Sequence, residues 1–139
     1  GLSQLMPSTA ASVAQRLKIV DPDLQDPATN LAIGVRHLAN LLGSAGSMTK
    51  ALLAYNAGLS RVRQWERARP GLPADLFIES AAIAETRDYL RKILVSSVMY
   101  AFLYRDADPR DAALSFFSIS KGPLEPAPAA PGRDRMNPR

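Results

Sequence analysis

Apolar residues recur along this chain every three to four positions and almost nowhere alternate, the mark of amphipathic helices rather than strands. Pro7-Ser8-Thr9 signals a helix start, with Ala10, Val13, Ala14 and Leu17 on one face. Asp21-Pro22-Asp23 breaks that pattern. Asp26-Pro27 then supplies an N-cap and a proline in the first turn, where its missing N–H costs nothing. Leu31, Gly34, Val35, Leu38, Leu41 and Leu42 follow at helical spacing, and Gly43 is the expected stop. Ser47 caps a further helix holding Leu52, Leu53 and Tyr55, which Gly58 ends. A short basic helix carries Val62 and Trp65 and runs into the loop Pro70-Gly71-Leu72-Pro73. The longest helix is expected from about Ile83 to Tyr104, with Tyr89, Leu90, Ile93, Leu94, Ser97, Tyr100, Ala101 and Tyr104 as its inward stripe. Asp108-Pro109 starts one more helix, ending near Phe117. The absence of trustworthy strand alternation argues against a βαβ nucleotide-binding fold.

Composition changes this picture at one place. Five of the eleven prolines fall between Gly122 and Arg139, among Ala, Gly and Arg, so that segment is expected to be a disordered tail. The expected organisation is one all-α domain over residues 1–121 and a tail over 122–139. The 139 residues suffice for one domain, and the formal charge of +4 suits an anionic partner. Part of that charge is local, in Arg61, Arg63, Arg67 and Arg69, which also reads as a solvated helix face. No apolar run is long enough to span a membrane. The chain has no cysteine, which neither requires nor excludes an extracellular address. It opens at Gly1 rather than Met and is read as a fragment, so the lack of a signal peptide does not bear on location.

Candidate chemistry lies in three clusters: Gly1 to Ala10, Ala51 to Gly58, and Phe77 to Ser80 followed by Glu85 to Tyr89. Each key residue has a structural alternative. Gln4 reads as a loop amide, Tyr55 as a core aromatic, Asn56 as a C-cap, and Glu85 as a first-turn carboxylate favoured by the helix dipole. Together, amides, a tyrosine hydroxyl and a carboxylate are the groups that match sugar hydroxyls and acetamido groups. His37 is the one histidine, reads as structural or solvated, and has no companion for a metal; no phosphate loop or Ser-His-Asp context is visible, and no cofactor is expected.

In order and spacing these clusters resemble the soluble lytic transglycosylase family, whose catalytic domain has a goose-type lysozyme fold. Gly1 to Pro7 matches the family's Gly-Leu-Met-Gln-Leu-Met-Pro except at Ser3. Asp26-Pro27, Asn30 and Gly34 also match. Ala-Tyr-Asn-Ala-Gly is intact at Ala54 to Gly58, with Arg61-Val62 and Trp65 following. Phe77 to Glu79 and Glu85 to Arg87 match the fourth motif, although Ala81-Ala82-Ile83 replaces the usual Ile-Pro-Phe. The resemblance covers about Gly1 to Tyr104.

The resemblance implies cleavage of the β-1,4 bond between N-acetylmuramic acid and N-acetylglucosamine, with closure of a 1,6-anhydro ring instead of attack by water. It implies one glutamic acid, lying in a Glu-Ser motif upstream of the position of Gly1, and so no catalytic acid in this chain. That upstream helix packs beside the cleft in the family. Its absence is expected to expose apolar surface near Leu5, Leu53 and the long helix. Gln4, Tyr55, Asn56 and Glu85 are assigned to the glycan cleft, Tyr55 as the group that orients the acid or the N-acetyl group, and Glu79 to a structural role. Ser3 removes an apolar contact to the sugar. The implied partner is peptidoglycan, at the periplasm or cell envelope, met by a monomer. The alternative is a glycan-binding module without catalysis. A nucleic-acid role for the arginine cluster lacks any accompanying reader motif, and no nucleic-acid partner is expected.

Overall fold

The computed structural model describes residues 2–118, and the expected tail at 122–139 lies outside the described residues. Among the described residues there are seven helices and no strand: α1 (Pro7–Leu17), α2 (Pro27–Ala45), α3 (Met48–Ala57), α4 (Leu59–Ala68), α5 (Ala74–Ser80), α6 (Ala84–Arg105) and α7 (Pro109–Ser118).

Local signals explain most boundaries. The Asp26 carboxylate accepts the Thr29 N–H at 2.8 Å and Pro27 opens α2. The Ser47 hydroxyl accepts the Lys50 N–H at 3.3 Å, and Gly58, at φ 90°, closes α3 and leads into α4. One stop differs from expectation. Helix α2 runs through Gly43 to Ala45, and Gly46, at φ 80°, takes the left-handed position and returns its N–H to the Leu42 carbonyl. Both glycines permit that conformation. Gly46 directly precedes the Ser47 cap, so the turn into α3 has to be made there. Helix α5 was not anticipated as a helix. Its seven residues are too few for a periodic pattern, and it is held by the burial of Phe77 and Ile78.

Helix α3 is the centre of the fold. Ala51, Leu52, Leu53 and Ala54 are consecutive and all buried, which an amphipathic surface helix cannot achieve. Around it, α2, α4, α6, α5 and α7 contribute Leu41, Val62, Trp65, Phe77, Ile78, Leu90 and Phe116. A smaller core joins α1 to α2 through Ala10, Val13, Ala14 and Ile33.

Two expected faces are corrected. On α2 the buried residues are Asn30, Ile33, Gly34 and Leu41, whereas Leu31 and Val35 are exposed. The face is turned toward Asn30 because that side chain ties two loops, as described below. On α6, Leu90 is buried and Tyr89, Ile93, Leu94 and Ala101 are half-buried, but Ser97, Tyr100 and Tyr104 face solvent. A helix rises about 1.5 Å per residue. The 22 residues of α6 therefore outrun the 10 of α3, and its second half has less core to face. The two exposed tyrosines stack on each other at 5.5 Å. Val95, Met99, Phe102 and Leu103 are exposed along the same half.

The Asp26 cap carries a pH signature. Hydrogen bonds from Thr29 hold its carboxyl below the usual carboxylate range. A depressed folded pKa stabilises above the unfolded carboxylate value, about 3.9, and that contribution is lost as pH falls through the folded value. Asp26→Asn keeps the cap without the titration. Wild type should be the more stable of the two in urea unfolding at neutral pH, and the difference should vanish in acid. A constant difference down to pH 2 would refute this.

Candidate functional site

The segment before α1 is not helical, and it is pinned to α2 by one buried amide. Asn30 is 7% exposed. Its Oδ1 accepts the Ser3 N–H at 2.8 Å, and its Nδ2 donates to the Leu24 carbonyl at 2.9 Å. The Ser3 hydroxyl donates back to the Asn30 carbonyl at 3.1 Å. Ser3 rests directly on Gly34, where a Cβ would lie 2.1 Å from the Ser3 hydroxyl and 2.6 Å from its Cβ. On the other side, the Tyr55 hydroxyl donates to the Ser3 carbonyl at 2.8 Å, joining α3 to the same residue. The chain then turns at Gln4, which has φ 49°. A left-handed non-glycine residue costs on the order of 1–3 kcal/mol, so the surrounding bonds must hold it there.

These elements enclose a cleft of about 660 Å³. Gln4, Tyr55, Asn56 and Tyr89 are among its polar residues, with Ser3, Thr9 and His37, and Leu2, Met6, Val35, Leu52 and Ile93 are among its apolar walls. Leu2, Met6 and Val35, which line the cleft, are among the exposed large apolar residues of the molecule. Among the described residues no Asp, Glu, Lys or Arg lines it. Burial raises the Tyr55 hydroxyl pKa, partly offset by its bond to Ser3. Burial, and then the neighbouring Tyr55, raises that of Tyr89. Both therefore stay protonated at neutral pH. Tyr55 spends its proton on Ser3 and so meets the cleft as an acceptor. Asn56 accepts from the buried Thr86 hydroxyl at 2.6 Å, which fixes its amide plane and leaves the NH₂ group to donate. A site of amides, phenols and apolar walls without formal charge suits a neutral, hydroxyl-rich ligand.

Of the four residues assigned from sequence, Gln4, Tyr55 and Asn56 share this wall. Glu85 lies exposed in the first turn of α6, one turn before Tyr89, and is not part of the wall. Glu79 pairs with Arg91 at 2.5 Å on the surface, joining α5 to α6. Ser3 lines the cleft but spends its hydroxyl on α2. Arg61, Arg63, Arg67 and Arg69 are exposed on or just after α4.

Two wall residues were missed. Tyr89 was read only as core. His37, read as structural or solvated, lines the cleft with its ring 5.2 Å from that of Tyr55, and burial lowers its pKa. The available signal was its place three residues after Gly34, on the same face of α2. Among the described residues no cluster of His, Cys, Asp or Glu could hold a metal, and no helix is long and apolar enough to cross a membrane.

A family model described as the transglycosylase SLT domain matches residues 1–78, which include Gln4, Tyr55 and Asn56. The chain belongs to the transglycosylase SLT family. The all-α architecture is the lysozyme-like helical fold of this SLT domain. The soluble lytic murein transglycosylase of Salmonella typhimurium is 36% identical over 106 residues, which cover 72% of this chain and 16% of that protein. That of Escherichia coli K12 is 34% identical over 112 residues, covering 76% and 17%. The SLT chain thus spans about a sixth of the length of these relatives. No solved structure matches it significantly.

Proposed function

We propose that this SLT chain forms the sugar-binding wall of a peptidoglycan lytic transglycosylase, and that the proton donor is a glutamic acid outside the 139 residues. The whole enzyme would cut the β-1,4 bond between N-acetylmuramic acid and N-acetylglucosamine and release a 1,6-anhydro end, in the periplasm or cell envelope. The observation that carries the reading is a cleft rich in sugar-matching groups whose described wall holds no carboxylate. The two relatives named as lytic murein transglycosylases supply the substrate class.

A second feature supports the division of labour. A groove of about 570 Å³, lined mostly by apolar residues but also by Arg105 and Asp111, shares the apolar side chains Leu38, Leu52 and Ile93 with the cleft. A carboxyl group set against such side chains is desolvated, which raises its pKa and keeps it protonated near neutral pH, as a general acid requires. Tyr55, its proton committed to Ser3, can accept a hydrogen bond from that acid and so orient it. Gln4 and the Asn56 NH₂ group would hold acetamido and hydroxyl groups.

Incubated with purified sacculi, the isolated chain should bind but release no 1,6-anhydro-muropeptides. The same chain extended upstream through the glutamate should release them. Release by the isolated chain would overturn the proposal. Binding without cleavage by the extended protein would make this a glycan-binding module, which the same carboxylate-free wall also permits.

A further inference from the structure

Helix α6 is apolar on two opposite sides. Leu90 is buried in the core, and Met99, about two and a half turns later, faces the other way, into solvent. Val95, Met99, Phe102 and Leu103 are each between 48% and 62% exposed. They follow one another at helical spacing and form a continuous stripe. The outward side of a surface helix ordinarily carries polar residues. A contiguous apolar stripe there, rimmed by charge, is the mark of an association surface.

The stripe is complementary to itself. Val95 and Leu103 stand at equal distances before and after Met99, and so do Ser96 and Phe102, and Lys92 and Asp106. Two antiparallel copies of α6 related by a twofold axis at Met99 would bring each residue against its counterpart in the second copy, in both directions. Val95 then meets Leu103, the large Phe102 ring meets the small Ser96, and the Lys92 ammonium meets the Asp106 carboxylate. Lys92 and Asp106 are exposed and have no ion-pair partner among the described residues, whereas Arg91, beside Lys92, is already held by Glu79 and Asp88. We infer that the outward face of α6 pairs two copies of this chain, antiparallel, with Met99 on the twofold axis. This departs from the monomer expected from the sequence and is independent of the glycan reading. Ile93, which lines the cleft, lies about a third of a turn around the helix from Met99, so the pairing leaves both clefts open.

Sedimentation of the 139-residue chain over a concentration series tests the inference. The paired stretch from Lys92 to Asp106 is about 20 Å long, short for a stable interface, so a dimer in the micromolar range is expected. Met99→Lys sets two like charges at the axis and should leave a monomer. Lys92→Glu and Asp106→Lys should each weaken the dimer about tenfold, by replacing two attractions with two repulsions. The two changes together should restore it, because the pairs re-form with exchanged sign. All three side chains are exposed, so the variants should fold, and unchanged circular dichroism checks that they do. A chain that stays monomeric at about 0.1 mM overturns the proposal. So does association that survives Met99→Lys, or a double variant no better than the single ones.

Discussion

Asn30→Ala should destabilise the protein by about 2–4 kcal/mol, because two groups lose their partners at once. The Ser3 N–H and the Leu24 carbonyl both bond to this one side chain, at 2.8 and 2.9 Å, in a partly buried setting. An intramolecular hydrogen bond nets about 1 kcal/mol, but a buried group left unpaired costs about 1–3 kcal/mol. The second effect dominates, since alanine offers neither donor nor acceptor. Asn30→Asp separates the two roles. A carboxylate still accepts from Ser3 but meets the Leu24 carbonyl with no proton to donate. It should be no better than alanine at neutral pH and should recover relative to alanine in acid, when a protonated carboxyl can donate. Urea unfolding gives the magnitudes. Amide exchange should show residues 2–5 losing protection first, and with them the anchor of Tyr55. A loss under about 0.5 kcal/mol for alanine would show that water replaces the side chain freely.

Gly34→Ala should also destabilise, by about 1–3 kcal/mol, against the helix preference for alanine of about 1 kcal/mol. The added Cβ would lie 2.6 Å from the Ser3 Cβ, a contact that rotation of the Ser3 hydroxyl cannot relieve. The Ser3 segment must move away from α2, stretching its bonds to Asn30 and Tyr55. On the proposed glycan reading, sugar affinity should fall with stability, since Gln4 and Leu2 leave the wall with Ser3. A double-mutant cycle isolates the cause. In a Ser3→Gly background the clash partner is gone, and Gly34→Ala should become neutral or stabilising. If the cost persists there, the steric explanation fails. An exposed glycine offers the contrast: at Gly43 an added Cβ meets nothing within 4 Å, so Gly43→Ala should stabilise modestly.

Both predictions concern the same junction. One residue of the pre-helical segment is bonded to α2 and α3, and these bonds hold three walls of the cleft together. The substitution of Ser3 for the family methionine reads differently in this light. From sequence it looked like a lost apolar contact to the sugar. In the structure the serine side chain turns to α2, where its hydroxyl bonds the Asn30 carbonyl against a glycine.

Six of the seven helices among the described residues, and most of their ends, were determined by the sequence alone. Asp26-Pro27, Ser47, Gly58 and Pro109 act through bonds and dihedral preferences that reach four residues or fewer, so they work in any fold. The ordered motifs disclosed the family, and with it three of the residues that line the cleft. Facing and company were decided only by the tertiary structure. Asn30 pairs with Ser3 across 27 positions and Tyr55 across 52, separations no local preference can encode. Those long-range bonds turned α2 toward Asn30, exposed Leu31 and Val35, brought His37 against Tyr55 and gave Gly34 its purpose. The outer half of α6 looked inward by its periodicity alone. Whether an apolar stripe is covered depends on the length of the helix opposite, and α3 ends too soon to cover this one.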